Sequence, residues 1–96
     1  LAMMDVEDHK EDLFNEIYEV EHLPQISKVP GVINTIRFKT TAAHHPKYMA
    51  IYEIEGPDVR DSLEWTNASD TGRWKPEIRP YTYNKHNNLY ERMNTR

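Results

Sequence analysis

Apolar residues recur in the first third of the chain at the spacing of a helix that buries one face. The stripe is formed by Leu13, Phe14, Ile17, Val20 and Leu23. Asp8 precedes it and Glu11 lies three residues further on, which is the spacing of a capping box. Pro24 has no amide hydrogen to donate and fits poorly inside a regular helix. We therefore predict a helix from Asp8 that ends or kinks at residues 22–23 and continues loosely to Lys28.

Four segments have the apolar, β-branched or aromatic composition of strands. They cover residues 1–6, 32–40, 47–55 and 81–90, and the middle two are predicted to form a hairpin. Gly56 and Pro57 end the third strand, and Asp58 is well placed to begin a short helix that runs to about Trp65. A linker over residues 66–72 and a helical turn over residues 73–78, stopped by Pro80, are predicted to follow.

The resulting order, β-α-β-β-α-β, predicts a ferredoxin-like α+β fold. In this fold a four-stranded antiparallel sheet carries both helices on one face. The 96 residues provide a single domain, residues 1–96. Because helices cover only one face of such a sheet, the other face needs a cover, and this favours self-association into a homodimer.

Charge and hydropathy argue against nucleic-acid and membrane partners. The formal net charge is −4, with no cluster of lysine and arginine. The longest apolar run is far below the roughly 20 residues that span a bilayer, and no leader pattern is present. The chain contains no cysteine, which fits a reducing compartment, so we expect a cytoplasmic protein. It opens at Leu1 within a predicted strand, which suggests that a few native residues precede it.

Tyr18 and His22 are the strongest candidates for acid–base chemistry. They lie four residues apart and so share one face of the predicted helix. An imidazole titrates near neutral pH, and beside a phenol it could take a proton from carbon or give one to a leaving hydroxyl. The alternative is that His22 caps the C-terminus of the helix, where free carbonyls accept hydrogen bonds. The residues alone leave both interpretations open.

Side chains on the hairpin strands are the candidates for ligand binding. Ile33, Thr35 and Arg37 share one face of the first strand, and Arg37 could hold a carboxylate or enolate oxygen. An ion pair with Glu53 or Glu55 is the interpretation of Arg37 that we favour. The third predicted strand places Tyr48, Ala50, Tyr52 and Ile54 on one face and Met49, Ile51 and Glu53 on the other. The two phenols could line a pocket, although ordinary strand packing is the favoured interpretation.

Other chemically active residue types are poorly arranged for a site. His44 and His45 are adjacent in a turn, where their side chains do not converge easily on one ion. Without a spaced cluster of histidine and carboxylate residues, we expect no metal centre. The three glycines form no phosphate-binding loop. Trp65 and Trp74 are interpreted as anchors in the core or at a dimer seam.

Several motifs along the chain together resemble one superfamily. They are Tyr18, Glu-His-Leu-Pro at 21–24, Val-Pro-Gly-Val at 29–32, Arg37, Lys-Tyr-Met-Ala-Ile-Tyr-Glu at 47–53, and Trp74 leading to Arg-Pro at 79–80. This set resembles the dimeric α/β-barrel superfamily, and within it the EthD-like proteins and their uncharacterised relatives. The resemblance covers nearly the whole chain. Its motifs specify the fold better than the activity, because this fold hosts many chemistries.

The resemblance implies a homodimer in which two sheets meet face to face and close a barrel. It also implies a ligand cleft between sheet and helices in each protomer. Family members include cofactor-free monooxygenases, haem-degrading enzymes, muconolactone isomerases, and polyketide cyclases or dehydratases. The haem-degrading members use a tryptophan and a histidine a short way apart. Neither Trp65 nor Trp74 has a histidine at that spacing, so we set haem aside and expect no cofactor.

The leading hypothesis is a small homodimer that binds a hydrophobic, oxygenated ligand and acts on it by cofactor-free acid–base chemistry. Isomerisation, dehydration, cyclisation and oxidation by O2 are the reactions considered. The catalytic pair is predicted to be His22, as general base or acid, with Tyr18 as its partner. The predicted substrate-binding residues are Arg37, Tyr52, Tyr48 and Thr35, with Arg37 and Tyr52 orienting the substrate or stabilising an oxyanion. The alternative is a non-catalytic dimeric binding or accessory protein.

Overall fold

Four strands and an interrupted helical layer make up the residues that the computed structural model describes, 1–41, 43 and 45–93. The strands are β1 (Ala2–Val6), β2 (Val32–Lys39), β3 (Tyr48–Ile54) and β4 (Thr82–Asn87). The α-helices are α1 (Glu11–Ile17), α2 (Leu23–Ser27), α3 (Pro57–Arg60) and α4 (Leu63–Asp70). A first π turn (Tyr18–His22) joins α1 to α2, a second π turn (Trp74–Ile78) follows α4, and short 3-10 turns cover Asp8–Lys10 and Arg79–Tyr81. In this part of the chain no helix has the length and apolar character needed to cross a membrane.

The strands form one sheet in the order β2-β3-β1-β4, and each neighbouring pair is antiparallel. The predicted four-stranded antiparallel sheet and the α+β class are therefore confirmed. Its inner face contributes Met4, Tyr48 and Ala50 to a buried core with Phe14 and Ile17 of α1. A second buried cluster joins α2, α3 and α4 and consists of Ile26, Val29, Val59 and Trp65. The two clusters hold the helical layer against one face of the sheet.

The first π turn accommodates Pro24. In a regular α-helix the carbonyl of Val20 would accept a hydrogen bond from residue 24, and proline has no hydrogen to donate. Here the N–H of Leu23 donates instead to the carbonyl of Tyr18, five residues earlier, which is the spacing of a π turn. The helix therefore widens at residues 18–22 and continues into α2. The kink lies where the proline predicted it.

The start of α1 differs from the predicted capping box. Residues 8–10 form a 3-10 turn, and neither this turn nor α1 has a side-chain cap. The Glu11 carboxylate is used elsewhere: its Oε2 accepts from Lys47 Nζ at 2.6 Å and from the Tyr48 hydroxyl at 2.5 Å. Glu11 therefore ties the helix to the sheet instead of capping it, because β3 brings these two donors within its reach.

The predicted linker over residues 66–72 is wrong, because α4 continues to Asp70. The sequence of α4 has no clear apolar stripe at helical spacing, because the helix buries little apolar surface. Trp65 is buried, whereas Leu63 is exposed. The helix begins instead with a local signal. Ser62 lies at its N-cap, and its hydroxyl accepts a hydrogen bond from the Trp65 N–H at 3.1 Å.

Replacing Ser62 with alanine is expected to lower the free energy of unfolding by about 1 kcal/mol, because the Trp65 N–H then loses its capping acceptor. Urea unfolding followed by circular dichroism measures the change. Ser27→Ala is the control, since that exposed hydroxyl bonds the Leu23 carbonyl near a helix end and caps no N-terminus. A loss no larger than that of the control would show that the cap contributes nothing.

The outer face of the sheet carries an exposed apolar strip. Ile36 lies opposite Ile51, and Phe38 lies opposite Met49, in the pairing of β2 with β3. Ile36, Phe38 and Ile51 are 44%, 46% and 39% exposed. The predicted alternation along β3 is confirmed, since its inner-facing residues are more buried than their neighbours. We name the four residues of these two pairs the outer apolar strip.

The inner face of β2 differs in part from the sequence prediction. Thr35 and Arg37 are half-buried against the helical layer, as their shared face requires. Ile33 was predicted to share that face, but its side chain is 60% exposed. The register of β2 against β3 shifts between Val32 and Asn34, and this irregularity breaks the alternation at Ile33.

Candidate functional site

His22 occupies the last position of the first π turn, and its ring is packed among aromatic side chains. The imidazole stacks on the Trp74 indole with ring centroids 4.3 Å apart and planes inclined by 19°. The Tyr18 ring meets it edge-on, with centroids 5.0 Å apart. π turns inside α-helices often occur at functional sites, because the widened turn changes the direction of its side chains. Here the turn brings His22 and Tyr18 against Trp74.

The His22 imidazole is buried but its Nδ1 atom has no hydrogen-bond partner. The side chain is only 6% exposed. The interpretation of His22 as a C-terminal cap is not supported, because the helix continues through it into α2. Burial, then the positive charges of Arg79 and Arg37, lower the pKa of His22 from 6.5 to about 4. The ring is therefore neutral at pH 7, with one nitrogen free to accept a proton.

Tyr18 and Tyr52 form a phenol pair with their hydroxyl oxygens 2.6 Å apart. Burial raises the pKa of both groups above the ordinary value of 10, so both are protonated at neutral pH. One hydroxyl donates to the other, and the accepting hydroxyl keeps its own hydrogen. That hydrogen is not used within the pair.

A cavity of about 480 Å³ lies between the sheet and the helical layer. This volume falls in the range of small-molecule sites, roughly 300–1,000 Å³. Its aromatic wall consists of Tyr18, His22, Tyr52, Trp65 and Trp74, and its charged lining of Arg60, Asp61, Arg79 and Lys85. Most of the aromatic residues are buried, whereas Arg60, Asp61 and Lys85 are exposed, so the charged residues lie towards the mouth.

Arg37 lies outside the cavity lining and is held by α1 and the first π turn. Its guanidinium donates to Glu19 Oε1 and to Asn15 Oδ1, each at 2.8 Å, and lies 4.4 Å from the centroid of the Tyr18 ring. The favoured ion pair with Glu53 or Glu55 is therefore wrong. Arg37 pairs with Ala50 across the sheet and faces the helices, whereas Glu53 lies on the opposite face of β3 and Glu55 lies beyond the end of that strand.

Tyr48 and Thr35 also lie outside the cavity lining, and their hydroxyls have partners. The Tyr48 hydroxyl donates to Glu11 and accepts from Asn15 Nδ2 at 3.1 Å. The hydroxyls of Thr35 and Ser27 are 3.2 Å apart. The structure thus brings three of the predicted site residues, His22, Tyr18 and Tyr52, to the cavity. The other three lie outside its lining, although Arg37 contacts the Tyr18 ring.

The charged lining of the cavity escaped the sequence analysis. Arg60, Arg79 and Lys85 belong to three distant segments, and no local spacing connects them. Arg79 lies in the Arg-Pro motif that follows Trp74, which was the one available signal. The two tryptophans were expected to be anchors of the core or the dimer seam; both are buried in the core, and both also line the cavity.

Of the two histidines in the predicted turn between β2 and β3, the structure describes His45. His44 lies outside the described residues. His45 Nδ1 is 2.9 Å from Asp5 Oδ1, and this buried carboxylate also accepts from the Lys47 N–H and from Asn84 Nδ2. Among the described residues, no group of three or more histidine or acidic side chains could hold a metal ion.

Comparison of the chain with protein-family models, with curated proteins and with solved structures gave no match in any of the three.

Proposed function

We propose that this protein binds a hydrophobic, oxygenated small molecule in the cavity and catalyses a proton transfer on it without a cofactor. The observation that carries the proposal is the buried, neutral imidazole of His22, which lines the cavity and has no hydrogen-bond partner at Nδ1. A buried polar atom without a partner is costly, and a catalytic role is one explanation for keeping it. The imidazole can accept a proton from a carbon next to a carbonyl group.

The phenol pair complements this base. When His22 takes the proton, the electron pair of the C–H bond moves to the carbonyl oxygen and forms an enolate. The unshared hydrogen of the Tyr18–Tyr52 pair can donate to that oxygen and stabilise its charge. The protonated imidazole then gives its proton to a different carbon of the enolate, which yields an isomer, or it first exchanges that proton with solvent and returns a solvent hydrogen to the same carbon. Arg37 acts in this scheme as a positioning residue, because it contacts the Tyr18 ring rather than the cavity.

We further propose that two copies form the EthD-like dimeric α/β barrel. The strand order β2-β3-β1-β4 is compatible with a ferredoxin-like fold. The outer apolar strip lies on the face opposite the helices, where a second sheet would cover it. Tyr48 and Thr35 take structural roles in this scheme, because their hydroxyls bind Glu11, Asn15 and Ser27.

Exchange of carbon-bound hydrogen tests the proton transfer directly. The probe is 2-tetralone, a hydrophobic ketone with acidic C1 hydrogens, incubated with the protein in D2O and followed by ¹H NMR. We expect the protein to accelerate loss of the C1 signal, and His22→Gln to slow the catalysed exchange on the order of a hundredfold. His9→Gln, at an exposed histidine outside the cavity lining, is the matched control and should exchange at the wild-type rate.

The same experiment decides between this function and a non-catalytic binding protein. The low pKa of His22 in the ligand-free protein is the observation that favours binding alone, since a weakly basic imidazole removes protons slowly. If 2-tetralone shifts the indole signals of Trp65 and Trp74 but the rate of exchange equals that of buffer, catalysis on enolisable ketones is contradicted and the binding function stands. Equal rates for wild type and His22→Gln would remove His22 from the reaction.

A further inference from the structure

The charge of the cavity lining is opposite to that of the molecule. The chain has 16 acidic residues against 12 lysines and arginines, a formal net charge of −4. The cavity is lined by three cationic side chains, Arg60, Arg79 and Lys85, and by one carboxylate, Asp61. A cleft with an excess of one charge, bounded by apolar walls, concentrates ligands of the opposite charge.

Arg79 is fixed in place with part of its guanidinium unused. Its Nη2 donates to the Ser69 carbonyl at 3.1 Å and to the Ser69 hydroxyl at 3.2 Å, and pairs with Asp70 Oδ1 at 2.8 Å. Within the described part of the chain, Nε and Nη1 have no hydrogen-bond partner. Asp70 is shared with Lys75, whose Nζ is 3.5 Å from Oδ2, so the group of three side chains keeps a net positive charge.

Arg60, the last residue of α3, supplies a second cation to the cavity lining. Its guanidinium carbon lies 5.6 Å from the centroid of the Trp65 ring, which is the geometry of a cation–π contact. Among the described residues no carboxylate lies within ion-pair distance of it. An exposed arginine stacked on an aromatic wall keeps its hydrogen-bond donors free for a planar anion.

We propose that the cavity recognises a carboxylate: the ligand is an aromatic acid whose carboxylate group binds Arg79 and Arg60 and whose ring packs against the aromatic wall. This inference rests on the proposed function and names the class of its ligand. The aromatic wall favours a carboxylate attached to an apolar body over a free inorganic anion. The buried imidazole of His22, whose Nδ1 has no hydrogen-bond partner, lines the same cavity.

An anionic ligand would also increase the basicity of the proposed base. Burial, Arg79 and Arg37 together keep the pKa of His22 low in the ligand-free protein. A carboxylate bound to Arg79 offsets the charge of that arginine, so it favours protonation of the nearby imidazole. A neutral ligand of the same shape leaves the charge of Arg79 uncompensated. In this proposal the cationic lining and the neutral His22 act together, because the bound anion makes the imidazole a stronger base.

The test compares two ligands of nearly the same shape, naphthalene-2-carboxylate and its neutral amide. The chain has two tryptophans, and both line the cavity, so their indole N–H signals in ¹H–¹⁵N NMR spectra report its occupation. We expect the carboxylate to bind roughly tenfold to a hundredfold more tightly than the amide, the range for hydrogen bonds to a charged group. Arg60→Gln and Arg79→Gln should each reduce this preference. Arg92→Gln, at an exposed arginine outside the lining, should preserve it.

The other outcomes separate the two proposals. Equal affinity for carboxylate and amide would overturn the carboxylate site and leave the hydrophobic ligand site intact. No indole shift with either compound would overturn both. If the preference for carboxylate over amide persists in both arginine variants, the assignment to Arg60 and Arg79 is overturned. If inorganic phosphate shifts the indole signals equally strongly, the aromatic-acid class is overturned. Arg60→Gln, which removes no hydrogen bond within the described residues, remains decisive if Arg79→Gln fails to fold.

Discussion

The wild-type protein is expected to lose about 2 kcal/mol of unfolding free energy between about pH 7 and pH 5, and replacing His22 with phenylalanine should abolish this loss. The folded protein holds His22 neutral, with its pKa lowered from 6.5 to about 4 by burial and by Arg79 and Arg37. As the pH falls below 6.5, the unfolded chain takes up a proton at this residue while the folded protein does not. The stabilisation from the neutral His22 is fully present above about pH 6.5. It is lost progressively as the pH falls to about 4, and the total loss is about 3 kcal/mol.

Phenylalanine keeps an aromatic ring against Trp74 and has no titrating group, so it removes the pH dependence without removing the packing. Urea unfolding of both proteins across this pH range measures the effect as the difference between two slopes. Carboxyl groups with lowered pKa values, such as Asp5 and Glu11, lose their stabilisation at lower pH and contribute alike to both proteins. His9→Phe makes the same change at an exposed site and should keep the wild-type slope. Parallel curves for wild type and His22→Phe would show that His22 is not held neutral.

The strands were predictable because their pattern is local. Residues of β3 alternate between the two faces, and the two strands of the hairpin lie within two residues of their predicted bounds. The helix with Leu13 and Ile17 on its inner face was equally predictable, because its apolar residues recur at helical spacing. Pro24 even indicated the position of the kink, since a missing amide hydrogen must alter the helix nearby. The π form of that turn has no comparable sequence signal.

Features that depend on distant partners were not predictable. Arg37 could pair with acidic residues on β3 or on the first helix, and only the register of β2 decides in favour of Glu19. The helix α4 is stabilised by the burial of Trp65 against α2 and by the Ser62 cap. Its sequence has little apolar periodicity from which the whole helix could be predicted. Tertiary packing overrides a weak local pattern in both cases.

In the candidate site, too, local spacing predicted some contacts and the three-dimensional structure was needed for the others. His22 and Tyr18 are four residues apart, so their proximity followed from helical spacing alone. Tyr52 required the additional knowledge that the inner face of β3 lies beneath that helix, which the phenol pair establishes. Arg60 and Arg79 both line the cavity, from segments that precede and follow α4 in the chain, and this shared location could come only from the three-dimensional structure.

Replacing Phe38 with lysine is expected to convert the proposed homodimer into monomers. Phe38 lies opposite Met49 in the outer apolar strip, on the face that the second sheet would cover. In a two-fold symmetric interface each substitution occurs twice, so two charged side chains would be buried without partners. At about 2 kcal/mol for each copy, a typical cost for a central interface residue, the dimer dissociation constant should rise about a thousandfold.

Sedimentation equilibrium of wild type and variant over a range of concentrations measures this change. The variant should fold normally, because β2 is an edge strand, where lysine is well tolerated, and Phe38 is 46% exposed in the single chain. Leu63→Lys is the matched control: it places the same charge at a residue 71% exposed on α4, away from the outer apolar strip, and should leave the dimer intact. A wild-type protein that is monomeric at all concentrations would contradict the barrel. A dimer that survives Phe38→Lys and dissociates with Leu63→Lys would place the interface on the helical layer, because only a contact made by α4 would be sensitive to that charge.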